Sequence, residues 1–437
     1  MNKRILKLAI PNIISNITVP LLGAVDTAVI GHLESVYYLG AIAVGSLIFD
    51  FIFWGFGFLR MGTTGLVAQA HGSGNERETR ILLYRVLLVA SAASLMVLIL
   101  QYPIIELGMS VINASAEVEL YARQYFYIRI LSAPATLCLF GINGWFLGMQ
   151  NSRYPMYITI TMNLINVIAN LSFVYGLNMN VDGVAWGSVL ASYLALSLAF
   201  ILFKKKYSHK KYNILKAELL ELVELKKFFS VNRDIFIRTI CVIFTYAFFT
   251  AKSAAMGDTW LAANTILLQL WYISSYAVDG FAFAAESLVG KYTGAKNYVK
   301  LKQAIKASMI WGVAFGAFGT FLYALFGKEL ISMFTNNTTV IATAMSVVIW
   351  LVIAPLVNSV GFIWDGIYIG ATATAPMRNS MLIATILFFI PIYYVAHPWY
   401  PTQSLWLAMT SFMLLRGLAL TLYARKTLYN PKLIHSN

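Results

Sequence analysis

The chain has 437 residues, 59% of them hydrophobic and 11% charged, at a formal net charge of +14. A soluble domain carries about 25% charged residues, so this composition, with a mean hydropathy of +0.71, excludes a soluble enzyme and reads as a membrane protein. The surplus Lys and Arg lie at the ends of apolar blocks, as expected next to lipid, and do not indicate nucleic-acid binding. The blocks are long enough to cross a bilayer as helices. In chain order the spacing predicts twelve spans, at 8–31, 40–69, 82–106, 121–147, 155–177, 183–204, 233–256, 262–289, 304–327, 342–369, 377–397 and 403–424. "MNKR" runs into the first block without a small-residue cleavage pattern, so no cleavable leader is expected. Cys138 and Cys241 fall inside blocks and read as small core residues.

The connections alternate in charge. "MNKR", "HGSGNERETR", "QNSRYP", 205–232, "KYTGAKNYVKLK", "TATAPMRN" and the tail all carry Lys or Arg. "HLESVYY", "MSVINASAEVE", "LNMNVD", "MGDTW", "TNNTT" and "HPWYPTQ" carry neither. This split predicts an integral plasma (bacterial inner) membrane protein with both termini in the cytoplasm. The stretch "NILKAELLELVELKKFF" (213–229) is amphipathic and is expected to lie on the inner membrane surface.

The chain also repeats itself. "LGAIAVGSLIFDFIFWGFGFLRMGTTGLVAQAHGSGN" (39–75) and "LAANTILLQLWYISSYAVDGFAFAAESLVGKYTGAKN" (261–297) are offset by 222, which pairs Gly72 with Gly294 and Asn75 with Asn297. "NGWFLG" (143–148) and "DGIYIG" (365–370) share that offset. The expected organisation is an N-terminal six-helix half (1–206), an amphipathic linker (207–232) and a C-terminal six-helix half (233–437). Two halves that enter from one side are related by an axis along the membrane normal, with a substrate path between them.

Ionisable residues within the spans carry the functional reading. A carboxylate facing lipid at mid-membrane costs about 2.5–3.5 kcal/mol or more, so Asp26 is expected to face protein or water. It shares one helix face with Asn12, Asn16, Val19, Gly23 and Ile30, by steps of four and three. Pro11 and Pro20 let that helix bend. Asn163, Asn166 and Asn170 share a face of the fifth helix, and Ser188 begins the sixth at similar height. Asp26, Asn166, Asn170 and Ser188 thus form a candidate site for a proton or a small hard cation, the alternative being a polar tie between helices.

On the eighth helix, Gln269, Tyr272, Tyr276, Asp279, Phe283 and Glu286 share a face. Its repeat mate, the second helix, carries Phe53 and Trp54 near Asp50. Aromatic faces beside a carboxylate suit a flat organic cation. Asp279, Tyr272, Tyr276, Asp50 and Trp54 are therefore the candidate substrate residues. Arg60, Lys252, Glu286 and Asp365 are candidate coupling or gate residues, with a structural salt bridge as the alternative. No metal-ligand spacing, nucleophile motif or phosphate loop occurs, so neither an enzyme nor a cofactor is expected.

"VDTAVIGHL", "FGFLRMGTTGLVAQAHGSGN", "NLINVIANLSFVYGL" and "AVDGFAFAAESLVGKYTGAKN" resemble the multidrug and toxic compound extrusion (MATE) transporters, and within them the DNA-damage-inducible F-type branch. The resemblance covers nearly the whole chain. It implies an all-α, V-shaped pair of six-helix bundles that exports organic cations and amphipathic drugs in exchange for protons or sodium ions. The family's coupling aspartate of helix 1 falls on Asp26, its helix 6 hydroxyl on Ser188 and the helix 10 acid of another branch on Asp365. The Asn-x-x-x-Asp pattern of helix 5 falls on Asn166 and Asn170, so the second acid is missing. One formal charge suffices for a proton, whereas sodium prefers several oxygens and more negative charge, and burial raises a carboxylate's pKa. The expectation is a monomeric, proton-coupled antiporter with sodium as the second choice. The competing reading is a lipid-linked saccharide flippase or polysaccharide exporter of the same superfamily, which would want a strongly cationic cavity.

Overall fold

The computed structural model describes residues 1–31, 36–112, 115–208, 212 and 214–429, with the backbone alone for 19–31, 36, 111 and 216. Among the described residues there is no strand, and the helices join into twelve rods. They are α1 (Asn2–Gly31), α2 (Val36–Gly55 and Phe58–Gly72), α3 (Glu76–Ile99, continued by Gln101–Val111), α4 (Ala116–Arg129 and Ala133–Gly148), α5 (Arg153–Leu171, ending in a π turn Ser172–Gly176) and α6 (Val181–Tyr207). A short helix, Lys216–Leu219, precedes α7 (Leu222–Ala255) and α8 (Asp258–Gly294). Then follow α9 (Tyr298–Ser332), α10 (Thr338–Ser346 and Val348–Gly370), α11 (Thr374–Ile383 to Ile390–Ala396 through a π turn Ala384–Phe389) and α12 (Ser404–Thr427). Among the described residues, ten of the rods, α2 to α7 and α9 to α12, are long and apolar enough to cross a membrane.

The breaks have local causes. Gly55 and Gly57 flank the interruption in α2, where two residues that weaken a helix lie close together. Pro103 follows the step at Leu100 in α3, and a proline cannot donate to the carbonyl four residues back. The amphipathic linker stretch is shorter as a separate element than its sequence suggests. Only Lys216–Leu219 forms its own helix, and from Leu222 the chain runs unbroken to Ala255, since neither Gly nor Pro interrupts 222–255. The short helix is fastened to the start of α3. Arg77 pairs with Glu218 at 2.8 Å, the buried Arg85 donates to the carbonyls of Glu218 and Leu219, and the Tyr212 hydroxyl donates to Glu76.

The repeat is visible in atomic detail. Asn75 caps α3 by accepting from the Glu78 amide at 3.0 Å, and Asn297 caps α9 by accepting from the Lys300 amide at 3.0 Å. Gly144 lies against the Arg60 carbonyl and Gly366 against the Ala282 carbonyl, so closely that a Cβ would collide with backbone in each case. Gly72 meets the Lys291 carbonyl and Gly294 the Gln69 carbonyl in the same way. Each pair is related by the shift of 222 in both partners, so small residues set matching close helix approaches in the two repeats.

By contacts the chain divides into two compact units. One comprises 14–67 and 75–227, with a core around Phe49, Tyr125, Phe126 and Ile130. The other comprises 228–437 with two segments from the first half, Met1–Ile13 and Ala68–Gly74. Its core centres on Phe249, Trp271, Phe389, Trp406 and Phe412. The start of α1 is held in this second unit by Arg4, which donates to the Tyr292 hydroxyl, and by the approach of Gly280 to Ala9 and Ile13. The end of α2 is held there by Gln69, which donates to the Gly370 carbonyl at 3.1 Å and the Thr372 hydroxyl at 2.9 Å.

Candidate ion-coupling and substrate sites

In the unit built on the first half, the amides of α5 turn inward as a stripe. The Asn166 amide donates to the Ser188 hydroxyl of α6 at 3.0 Å, and the Asn170 amide donates to the Asn166 side-chain oxygen at 3.1 Å. Asn163 donates to the Thr18 hydroxyl of α1 at 3.0 Å and to the Thr18 carbonyl at 3.3 Å. Asn163, Asn166, Asn170 and Ser188 are buried, Asn170 completely. Gly187, opposite Asn170, gives that amide room against α6. The structure therefore brings Asn166, Asn170 and Ser188 into one hydrogen-bonded chain and ties α5 to α1 beside it. The backbone of Asp26 belongs to α1, and its side chain lies outside the described residues. Neutral amides and a hydroxyl offer oxygen ligands and a hydrogen-bond path, but add no charge to a neighbouring carboxylate.

On α2 of this unit, Asp50 is exposed and lies within electrostatic range of Arg129 at the end of the first segment of α4. The Arg129 guanidinium stands 5.5 Å from the Phe49 ring centre and 5.7 Å from that of Tyr125. Trp54 is 41% exposed. Arg60, half-buried in the second segment of α2, presents its carbonyl to the Thr64 hydroxyl at 2.9 Å.

In the other unit, Tyr272 packs on Tyr246 of α7 with ring centres 5.0 Å apart. Tyr276 and Asp279 lie within electrostatic range of that same Tyr246. Tyr272, Tyr276 and Asp279 are half-buried on one face of α8, and Glu286, lower on the helix, is buried. Lys252 is held in an aromatic setting, 5.6 Å from the Phe248 ring, 5.8 Å from Tyr393 and 5.6 Å from Tyr394. Cation–π attraction takes the place of a carboxylate there. Asp365 of α10 is buried and engaged by two arginines, Arg238 of α7 and Arg416 of α12, both through Oδ2. A carboxylate held by two guanidinium groups has little attraction left for another cation.

Three of these charged groups escape the sequence reading. Arg129, Arg238 and Arg416 each sit within an apolar block, and their intramembrane position is itself the signal that would have found them. Their partners lie on other helices, so periodicity along one helix does not reveal them.

Comparison with known proteins follows the same repeat. The family model MatE matches the chain twice, over residues 11–171 and 235–395. The chain is 37% identical over 428 residues to DNA damage-inducible protein F of Escherichia coli (strain K12), covering 97% of this chain and 92% of that protein. It is 23% identical over 354 residues to the probable multidrug resistance protein NorM of Thermotoga maritima, covering 78% and 74%. Among solved structures, its fold is similar to a MOP superfamily transporter from Pyrococcus furiosus (TM-score 0.88, 17% identity, covering 99% of this chain and 96% of the other). The Vibrio cholerae MATE transporter VcmN in its bent form is similar as well (TM-score 0.87, 16% identity, covering 99% and 98%). Twelve helices in two matching sets, the double family match and the full-length likeness to the E. coli protein agree, and the chain belongs to the MatE family of membrane transporters, the multidrug and toxic compound extrusion family.

Proposed function

We propose that this transporter is a secondary active antiporter that exports organic cations and amphipathic drugs in exchange for protons. The observation that carries the reading is the chain Ser188–Asn166–Asn170, a buried polar path with no second acid on α5. Asp26 then supplies the one carboxylate of the site. Protonation and deprotonation of a single carboxylate is enough to couple one proton to transport, whereas a dehydrated sodium ion asks for more negative oxygen. Substrate binding is assigned to Tyr272, Tyr276 and Asp279 on α8 and to Asp50 and Trp54 on α2, where aromatic faces stand near carboxylates. Antiport across the membrane in which the spans sit needs no cofactor beyond the ion gradient. The probable multidrug resistance protein NorM among the relatives supports the substrate class.

The test is dye efflux from everted membrane vesicles with a proton or a sodium gradient imposed separately. Efflux driven by the proton gradient, and none by sodium at equal pH, is the expected result. Sodium-driven efflux with the pH gradient collapsed would overturn proton coupling.

A second reading draws on Arg129, Arg238 and Arg416. Arginines within the membrane are what an exporter of lipid-linked, anionic saccharides would use. Accumulation of an anionic amphiphile, with no cationic dye efflux under either gradient, would favour it.

A further inference from the structure

The cage around Asp365 carries more than it uses. Two guanidinium groups face one carboxylate, which leaves an excess positive charge inside the membrane. Arg416 is 1% exposed on its side chain and Arg238 11%. Among the described residues, their hydrogen bonds go to Asp365 and, from Arg416, to the Met413 sulfur. The Nε of each arginine is buried without a partner. The next acid, Asp279, shares Tyr246 with Arg416 as an electrostatic neighbour but forms no hydrogen bond to either arginine. A charge in low dielectric is costly unless it is paired.

Next to this charge lies a set of buried polar groups without partners. Asn358 is 1% exposed, and neither its amide nitrogen nor its oxygen has a partner. The buried Thr410 hydroxyl also lacks one. Asn358, Gly361 and Asp365 stand at i, i+3 and i+7, on one face of α10. Gly361 faces Arg416, since a Cβ there would stand 3.6 Å from the Arg416 Nε and 3.8 Å from the Met413 carbonyl. The missing side chain leaves a slot on the Nε side of the arginine, and the Phe362 ring covers the guanidinium at 5.2 Å.

Thr410 reaches the same level from α12. Trp350 bonds Gln403, Trp364 bonds Thr421 and Tyr368 bonds Leu420, at sequence separations of 53, 57 and 52. Both helices therefore run in one direction, and Thr410, 52 residues beyond Asn358, falls at the same register along them. The unpartnered groups are then three donors (two arginine Nε and the Asn358 amide), two acceptors (Asp365 Oδ1 and Asn358 Oδ1) and the Thr410 hydroxyl, which can act as either. Buried polar groups in a well-formed interior are satisfied. A set rich in donors with surplus positive charge is satisfied by an anion.

We propose that α10 and α12 hold a small monovalent anion of halide size, bound by Asn358, Thr410 and the Nε of Arg416 beside the Gly361 slot. The anion neutralises the second arginine of the cage. This unit of the transporter thus carries a resident anion site where a cation-coupling site would need a free acid.

The test is thermal unfolding of the full-length protein in detergent, as sodium chloride replaces sodium gluconate at constant ionic strength. A ligand that binds only the folded state raises the melting temperature with saturation. The expected result is a saturable rise of about 3 °C or more. Asn358→Leu and Thr410→Val should each abolish most of the rise. Asn143→Leu, at the repeat position of Asp365 in the other half, should keep it. Identical melting in the two salts would overturn the proposal, as would a linear, unsaturated response. An undiminished chloride shift in both Asn358→Leu and Thr410→Val would place the ion elsewhere and overturn it too. The readout is binding, so failure here leaves the antiport reading standing.

Discussion

The two repeats use one scaffold for opposite electrostatics. Around α5 and α6, the polar side chains among the described residues form a neutral relay of three asparagines and two hydroxyls. Around α7, α10 and α12, it is ionic, one carboxylate between two arginines. The contrast shows at a single repeat position, where the NGWFLG block has Asn143 and the DGIYIG block has Asp365. The glycine that follows, Gly144 or Gly366, makes the same close backbone approach in both. Packing is thus conserved between the repeats while charge is not. On the proposed reading, coupling falls to the first half and Asp365 is a structural tie.

The largest effect should come from Asp26→Asn. Insertion and stability should match the parent, while gradient-driven dye efflux falls at least about tenfold, a loss of about 1.4 kcal/mol or more in driving interaction. Parent-level efflux in vesicles would remove the coupling role from the first half.

Next is Asp365→Asn. It leaves two buried guanidinium groups without their counter-charge, and breaking such a pair costs about 3–5 kcal/mol. Unfolding in detergent should shift accordingly, and pairing it with Arg416→Met should recover much of the loss. If Asp365→Asn melts like the parent but uncouples efflux from the gradient, the static assignment is wrong and the two halves share coupling.

A smaller change is expected from Asn170→Asp, which restores a second acid beside Asn166. Efflux should acquire a component driven by a sodium gradient at equal pH, because two carboxylates make a better site for a hard cation. Unchanged ion dependence would argue that the amide chain is a structural tie.

The smallest effect belongs to Asp279→Asn. Export of a cationic dye should weaken severalfold more than export of a neutral amphiphile, with melting unaffected. Equal losses for both substrates together with a lower melting temperature would make Asp279 a structural residue. In that case the salt-bridge alternative would hold, with Lys252 or Arg60 as the partner of Asp279.

Much of the scaffold was legible along the chain. Blocks of apolar residues have to become helices, because a bilayer leaves no other way to satisfy a backbone, and twelve blocks became twelve rods. Gly72 with Gly294, and Asn75 with Asn297, matched as letters and then as contacts and caps. The stripe Asn163, Asn166 and Asn170 was readable because residues on one helix face recur every three or four positions. Where the amphipathic stretch 213–229 passes into a crossing helix was not legible, since an amphipathic pattern does not say where a surface segment ends and a crossing helix begins.

What the sequence by itself determined is the set of properties that are local or periodic: the number of helices, the repeat at 222, and the face on which each polar residue sits. What only the tertiary structure decided is pairing. Arg238 and Asp365 are 127 residues apart and Asp365 and Arg416 are 51 apart, and no spacing rule joins them. The same holds for Ala68–Gly74 and Met1–Ile13, which belong to the first six helices by sequence and to the second compact unit by contact. The physical reason is that a buried charge takes its partner from whichever helix packing brings within a few ångströms, and that neighbour is fixed by how side chains fill space between helices rather than by the order of residues along one.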